Sequence, residues 1–401
     1  MTTPRTKPGN YPAVLSYGFR PFFLMGALYG GLAILVWLPI LSGSLQTWSL
    51  FHPVDWHVHE LLFGYLAAIV TGFLLTAIPN WTGRLPVQGL PLALLALLWL
   101  AGRFAVFFSA GIGWAAAMVI DCAFLLALAA AAATEIVAGR NWRNLKVLAP
   151  VTVLFAANVL FHIEAHFAGS ADIGRRLGIA AGILLIMVIG GRIIPSFTRN
   201  WLFRENPGRL PVPFGRFDAA TVVVSAVALA GWTFTPDHAA TGAVLVAAGL
   251  LNLARLARWA GWRARRDTLV LILHVGYLFV PAGLLAAGIG ALAPDLLSPV
   301  AGIHLFGAGA IGTMTLAVMT RASLGHTGRE LHADAATSLI YAAVVLAALT
   351  RFAAVVAPEF PTLLYVSAGC WTAAFLGYAA RYGGMLVRPK LKPRQPNRVP
   401  A

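Results

Sequence analysis

The chain has 401 residues, of which 59% are hydrophobic and only 11% are charged. A soluble domain carries roughly 25% charged residues, so this composition excludes an ordinary soluble protein and predicts a surface that faces mostly lipid. The net charge of +15 would suggest nucleic-acid binding in a soluble protein. In a membrane protein it is explained by basic residues at the cytoplasmic ends of helices, so no nucleic-acid partner is expected.

Apolar runs of about 20 residues are needed to cross the hydrocarbon core, and the chain contains twelve of them. In chain order they are 20–41, 57–79, 90–108, 112–138, 147–168, 176–198, 217–235, 239–260, 268–292, 299–320, 332–356 and 361–387. The connections between them are too short to hold a soluble domain. The sequence therefore predicts an all-α polytopic protein with one transmembrane domain, 1–401, that ends in a basic tail, 388–401.

The basic residues predict the orientation of this domain. With twelve spans both termini lie on one side, and nearly all of the 29 Lys and Arg residues fall on that side. The other side receives only Arg103, Arg175, Arg176 and Arg351, while Arg192 lies within a span. By the positive-inside rule, both termini are predicted to be cytoplasmic.

Spans two, six and ten end in similar short motifs. They read TAIPNWTGR at 76–84, GRIIPSFTRNW at 191–201 and LAVMTR at 316–321. Because these spans are four apart, the twelve helices are predicted to form three groups of four in which helices two, six and ten are equivalent. Arg192 is the one cation in these motifs that lies inside a span, where it either meets a carboxylate such as a haem propionate or snorkels to the cytoplasmic surface.

Six of the 10 histidines are predicted to lie at one depth, near the outer face. They are His52, His57, His59, His162, His166 and His304. Ionisable residues inside membrane spans are costly and are functional-site candidates by default. The shared depth therefore indicates a metal or haem site formed by at least three helices.

The spacing of these histidines separates them further. His162 and His166 are four residues apart, so they project from one face of a helix and can converge on one metal. His57 and His59 point roughly 200° apart on a regular helix, which suggests that they serve two different sites. Glu60 is a candidate partner for one of the imidazoles.

The expected chemistry of the cluster follows from its donor atoms. Glu60 and Glu164 are the only acidic residues expected close by, so the carboxylates that calcium, magnesium or manganese require are lacking. Imidazole donors suit copper, zinc or haem iron. By contrast, His52 and His238 are interpreted as hydrogen-bonded helix ends, and His326 as a ligand of a loop carbonyl or an anion.

Several runs together resemble the NnrS family. They are FRPFF at 19–23, WHVHE at 56–60, IPNWTGR at 78–84, GGRIIPSFTRNW at 190–201 and AVMTRASLGHTGR at 317–329. The resemblance covers nearly the whole chain. It implies a bacterial inner-membrane protein that contains haem and copper, is associated with denitrification and relieves nitric oxide stress.

The resemblance also suggests how the histidines divide between the two cofactors. Haem–copper oxidases likewise have twelve helices in three groups of four, with haem ligands on helices two and ten. We therefore predict a haem b between His304 and His59 or His57, and a copper bound by His162, His166 and the remaining histidine of helix two. Helices six and seven lack the histidines that bind copper in the oxidases, so oxygen-reducing chemistry is not predicted.

The alternative hypothesis is a twelve-helix secondary transporter without a redox cofactor. Internal repeats and the helix prolines Pro79 and Pro195 suit that class. A transporter is expected to place its ionisable groups near the bilayer midplane. Apart from Asp121 and Arg192, the candidates here lie near the outer face, which favours a cofactor site.

Overall fold

The computed structural model describes residues 11–391, without the side chains of Arg143 and Lys146. The predicted basic tail therefore lies outside the described residues from position 392 onward. All regular structure in the described part of the chain is helical.

Twelve long apolar helices, numbered α1 to α12, are long enough to cross a membrane. They are Phe19–Leu41, Pro53–Thr82, Leu90–Phe107, Trp114–Ala138, Leu148–Phe167, Asp172–Glu205, Arg216–Phe234, Ala239–Ala257, Thr268–Leu292, Val300–His326, Ala335–Val356 and Thr362–Val387. The predicted fold class, an all-α polytopic membrane protein with twelve spans, is confirmed.

The predicted span ends differ most from the structure in three helices. α2, α6 and α10 extend several residues beyond their apolar runs, so that Pro79, the last residue of its predicted span, lies inside α2. A hydropathy pattern marks where the chain is apolar, whereas a helix continues until its backbone is capped. In α2 the helix ends at Gly83, which adopts the left-handed conformation with φ 67° that favours glycine.

The same three helices form the centre of the bundle. Each helix packs against the next in the sequence, and α12 packs against α1 to close the ring. α2, α6 and α10 also contact one another. Their most apolar windows are 78%, 67% and 72% buried, a level that only α9 matches, since the remaining eight helices reach 28–44%.

A short π-helical segment interrupts each central helix. The segments are Glu60–Leu66 in α2, Ile186–Gly190 in α6 and Leu305–Gly312 in α10. π segments are rare and often occur at functional sites. Their recurrence in every fourth helix supports the predicted equivalence of these helices, although the division into three groups of four remains a prediction.

Side chains of neighbouring helices satisfy backbone carbonyls in two of these segments. The Trp99 Nε1 donates to the carbonyl of Gly64 at 2.9 Å. The Arg255 Nη1 donates to the carbonyl of Met187 at 3.2 Å. Both carbonyls also accept a backbone amide, that of Ala67 for Gly64 and that of Gly191 for Met187. The side-chain donors therefore add a second hydrogen bond at each irregular segment inside the bundle.

The two ends of the bundle differ in charge. We call the end that carries both described chain ends the termini face, and the other end the histidine face. Of the few cations toward the histidine face, Arg175 and Arg176 pair with Asp172, and Arg103 pairs with buried carboxylates. Each of these three cations therefore has a carboxylate partner, and Arg175 and Arg176 share one carboxylate.

Candidate metal centre

His59 is the centre of a buried polar cluster in the half of the bundle nearest the histidine face. It lies at the junction between the regular first turns of α2 and the π segment. Its Nδ1 is 3.0 Å from the Glu60 Oε1. Its Nε2 is 3.0 Å from the Asn158 Oδ1 and 3.2 Å from the Asp121 Oδ2. Both ring nitrogens thus face oxygen atoms.

Asp121 connects α4 to α5 within this cluster. Its Oδ2 accepts a hydrogen bond from the Asn158 Nδ2 at 2.8 Å. The same oxygen is 3.2 Å from the His162 Nε2. Asn158 and His162 are one helical turn apart on α5, so both side chains reach Asp121 from the same face. One carboxylate oxygen is therefore the meeting point of three side chains.

Arg103 holds the two carboxylates of the cluster together. Its Nη1 donates to the Glu60 Oε2 at 2.7 Å, and its Nη2 donates to the Asp121 Oδ1. The hydroxyl of Tyr29 on α1 also donates to the Glu60 Oε2. All three charged side chains are at least 94% buried, with exposures of 6%, 1% and 1%. Buried charges persist only when they are paired in this way.

Three members of the cluster offer ligand atoms to one metal ion. The ligand atoms of His59, Asp121 and His162 all lie within 4.8 Å of one another. Two imidazole nitrogens and one carboxylate oxygen form a donor set that suits copper, zinc or iron better than calcium or magnesium. Glu60 and Asn158 contact the ligands directly and would orient them.

Aromatic rings close the surroundings of these ligands. The ring of Phe51 is 5.0 Å from those of both His59 and His162. Phe63 and Phe161 lie 5.2 Å from the ring of His59. This apolar lining excludes water, which strengthens electrostatic interactions inside the cluster.

His57 belongs to different surroundings from His59. Its ring stacks on Trp37 with a centroid separation of 4.5 Å and an interplanar angle of 14°. It lies close enough to His304 and Arg351 for their charges to interact. The Nδ1 of His304 is 3.0 Å from the carbonyl of Val300, which leaves its Nε2 available as a ligand atom. The structure therefore places His57 within electrostatic range of His304 and brings His59 and His162 into contact, with 5.0 Å between their ring centroids.

His166 and Arg192 lie apart from both histidine groups. The His166 ring is exposed and stacks on Trp114 at 4.3 Å, without a contact to His162. Arg192 is exposed and lies toward the termini face, where its Nη1 is 3.5 Å from the Asn144 Oδ1. Arg192 therefore does not share a site with His57 and His304 in this structure.

The other histidines make ordinary contacts. His238 caps α8, since its Nδ1 accepts from the amide of Ala240 at 3.2 Å, as the helix-end interpretation predicted. His274 is 2.8 Å from the Thr198 Oγ1. His326 packs against the rings of Tyr17 and Phe19.

The expectation that the histidine cluster lacks acidic partners other than Glu60 and Glu164 is wrong. Asp121 is a direct neighbour of His59 and His162, whereas the Glu164 carboxylate accepts from the backbone amides of Ile173 and Gly174. The sequence signal that could have identified Asp121 is its depth in the membrane. Arg103 and Asp121 lie on consecutive antiparallel helices, within about two turns of the connection between them, so they share a depth with the histidines.

The fold and the buried cluster define a class: a multi-pass membrane protein with a His–Asp–His group that can bind a metal. The profile of the NnrS family, described as NnrS protein, matches residues 13–390. The chain therefore belongs to the NnrS family. No curated protein and no solved structure matches it.

Proposed function

We propose that the protein binds haem and copper in the bacterial inner membrane and binds or helps to remove nitric oxide, so that it relieves nitrosative stress during denitrification. Membership of the NnrS family supports this proposal. The buried group of His59, Asp121 and His162 is the observation that carries it. The excess of basic residues on the termini face supports an orientation with both termini in the cytoplasm.

We assign the copper to His59, Asp121 and His162. If both imidazoles are neutral, the cluster of two carboxylates and Arg103 carries one net negative charge. A buried net charge is unfavourable, so the cluster requires one positive charge, supplied by a proton or by a monovalent cation. Cu⁺ has that charge and accepts imidazole donors.

We assign the haem to His57 and His304. The two imidazoles lie on helices two and ten, within electrostatic range of each other and of the guanidinium of Arg351. Such a cation suits the propionate groups of a haem. Bound haem would supply an iron that binds nitric oxide or transfers an electron. The contact of His304 with Val300 would orient the imidazole toward the iron.

A transporter would use the buried charges differently. Its ionisable groups would be expected near the bilayer midplane, between half-helices that alternate in access. Here Glu60, Asp121 and Arg103 are paired with one another, and aromatic rings enclose the adjacent imidazole of His59. This arrangement favours a fixed cofactor site over a site that must release its cargo.

Metal content and the visible spectrum of single variants test both assignments. Protein purified from a host supplied with haem and copper is expected to contain both iron and copper. His162→Gln and His59→Gln should each remove copper and retain the reduced haem spectrum. His304→Ala should change the haem spectrum and retain copper.

His238→Ala is the matched control, because that histidine caps a helix away from both sites, and it should change neither metal. Each variant is also checked by size-exclusion chromatography, where a folded protein elutes as a single species. Wild-type protein without iron would contradict the haem assignment. Copper retained in both His59→Gln and His162→Gln would contradict the copper assignment.

A further inference from the structure

A separate cavity of about 480 Å³ lies between α2, α6 and α10 toward the termini face. Its wall includes Asn80 of α2, Arg192 of α6 and Arg321 of α10. Asn80 and His59 are on the same helix, roughly 30 Å apart at 1.5 Å per residue. The cavity is therefore distinct from both histidine groups, and none of the histidines or carboxylates assigned above to copper or haem lines it.

The charged groups in this wall are all cationic. These groups are Arg192 and Arg321; the imidazole of His326 also lines the cavity, and among the described residues no carboxylate does. Asp267 is close enough to interact with Arg321 electrostatically. However, the carboxylate of Asp267 caps α9 by accepting from two backbone amides, and it does not reach the wall.

Arg321 has an unused hydrogen-bond donor. Its Nη1 is buried and has no hydrogen-bond partner among the described residues. Its guanidinium packs over the ring of Phe197 at 4.0 Å, and this stacking fixes the plane of the guanidinium. A buried donor without a partner is unfavourable, whereas an anion in the cavity would accept from it. Within the part of the chain that the structure describes, the one hydrogen bond of the Arg192 side chain is a long contact, at 3.5 Å, with the Asn144 Oδ1.

The rest of the wall is mostly apolar. It includes side chains of Phe23, Phe73, Val188, Leu273 and Val318. A second cavity with an apolar surface lies between the same three helices and shares wall residues such as Phe73 and Val318 with the first. The volume of the first cavity, about 480 Å³, falls in the range of small-molecule sites. A lone inorganic anion would leave the apolar part of its wall uncovered.

We propose that this cavity binds an amphipathic anion, with a carboxylate or phosphate group held by Arg192 and Arg321 and an apolar body packed along the central helices. Arginine suits such groups because its fork of donors matches two oxygen atoms. The ligand is either a free amphipathic acid or the headgroup and chain of an anionic lipid. The site does not require either metal, so this inference is independent of the proposed function.

Titration calorimetry with laurate tests the proposal on the full chain in a nonionic detergent. Laurate is expected to bind, while inorganic phosphate, which lacks an apolar body, and dodecyltrimethylammonium, which lacks the negative charge, bind at least about ten-fold more weakly. Absence of laurate binding would overturn the proposal. Binding of either comparison ion as tightly as laurate would also overturn it.

Four variants locate the site. Arg321→Gln and Arg192→Gln should each weaken laurate binding by about ten-fold or more, since each removes a charged hydrogen-bond donor. Ala77→Phe should weaken it by filling the cavity without altering its charge. Arg199→Gln is the control, because Arg199 is exposed on α6 and does not line the cavity. Equal effects of Arg199→Gln and Arg321→Gln would overturn the assignment.

The source of the ligand is distinguished in lipid nanodiscs. The apparent affinity for laurate is measured in phosphatidylcholine discs and in discs where phosphatidylglycerol replaces part of the phosphatidylcholine. A lower affinity in the second kind of disc means that phosphatidylglycerol competes with laurate, which supports an anionic lipid as the occupant. An unchanged affinity supports a free amphipathic acid. Loss of the Arg321→Gln effect in both kinds of disc would contradict the site itself.

Discussion

Arg103 is the cation on which the buried cluster depends. It contacts both Glu60 and Asp121, which hold the imidazoles of His59 and His162. Without its guanidinium, two carboxylates would remain close together in a water-excluded environment. The same residue therefore stabilises the fold and sets the charge available to a metal.

Replacing Arg103 by Met tests this dependence. Removing one partner of a buried ion pair costs about 3–5 kcal/mol, so Arg103→Met should lower the free energy of unfolding by that order. Thermal unfolding in detergent measures the change. Arg175→Met is the control, because its partner Asp172 is 48% exposed, and it should cost less than about 1 kcal/mol. Equal losses in both variants would contradict the role of Arg103.

Asp334, which lies outside the membrane spans, makes a pH-dependent contribution to the stability of the folded protein. The Thr337 hydroxyl, followed by the Thr337 amide and Arg381, lowers the pKa of Asp334 from 3.8 to about 2. Because the folded pKa is the lower one, the stabilisation is complete above pH 3.8 and is lost as the pH falls toward 2.

Asp334→Asn keeps a capping side chain but removes this charge. Wild type should be more stable than the variant by less than about 1 kcal/mol, since the pair with Arg381 is exposed. The difference should be constant above pH 4 and shrink between about pH 4 and pH 2. Thermal unfolding across this range measures it, and a difference that grows on acidification would contradict the assignment.

The residues of the site were only partly predictable from the sequence. Histidines are rare in apolar spans, so His59, His162, His57 and His304 could be found by type and depth. The contribution of Asp121 could not be found in this way, because the pattern of one helix does not show which neighbour a side chain meets. Contacts between helices depend on rotation about their axes, which degenerate apolar sequence does not specify.

At the scale of elements, the π segments form where glycines allow close contact between helices. Gly64 lies beside the Arg103 Nη1, and Gly191 directly follows the π segment of α6 beside the guanidinium of Arg255. No hydropathy pattern predicts a π segment. A π turn holds one residue more than an α-helical turn, and a span that contains one is as apolar as a regular helix. The number of the helices and their places in the chain, by contrast, follow directly from apolar runs.

Gly191→Ala is expected to disrupt α6 locally. An added Cβ would lie 2.1 Å from the Arg255 Nη2, so Arg255 would have to leave the carbonyl of Met187 and its ion pair with Asp218. Overpacking and lost buried hydrogen bonds cost about 1–3 kcal/mol each, which thermal unfolding would detect.

The matched control for Gly191→Ala is Gly384→Ala in α12. No atom lies within 4 Å of the added Cβ at that position. Alanine favours the helix over glycine, so the control should be neutral or more stable by up to about 1 kcal/mol. A stable Gly191→Ala protein would contradict the packing of Arg255 against α6.

At the scale of the whole molecule, the distribution of charge predicts the topology. In a chain with Cys122 and Cys370 replaced by Ser, Pro213→Cys lies on the termini face and Glu359→Cys on the histidine face. In intact cells a membrane-impermeant maleimide should label Glu359→Cys only, and Pro213→Cys should react after the membrane is opened. The reverse pattern would contradict cytoplasmic termini.

The order in which the chain is made has a consequence for the buried cluster. All its charged and imidazole members, together with Tyr29 and Asn158, lie between positions 29 and 162, within the first five spans. The pair of His57 and His304 can form only after α10 has been synthesised, because His304 lies on that helix. During synthesis the His–Asp–His group can therefore assemble, and become able to bind a metal ion, while more than half of the protein has yet to be made and before the second histidine pair exists.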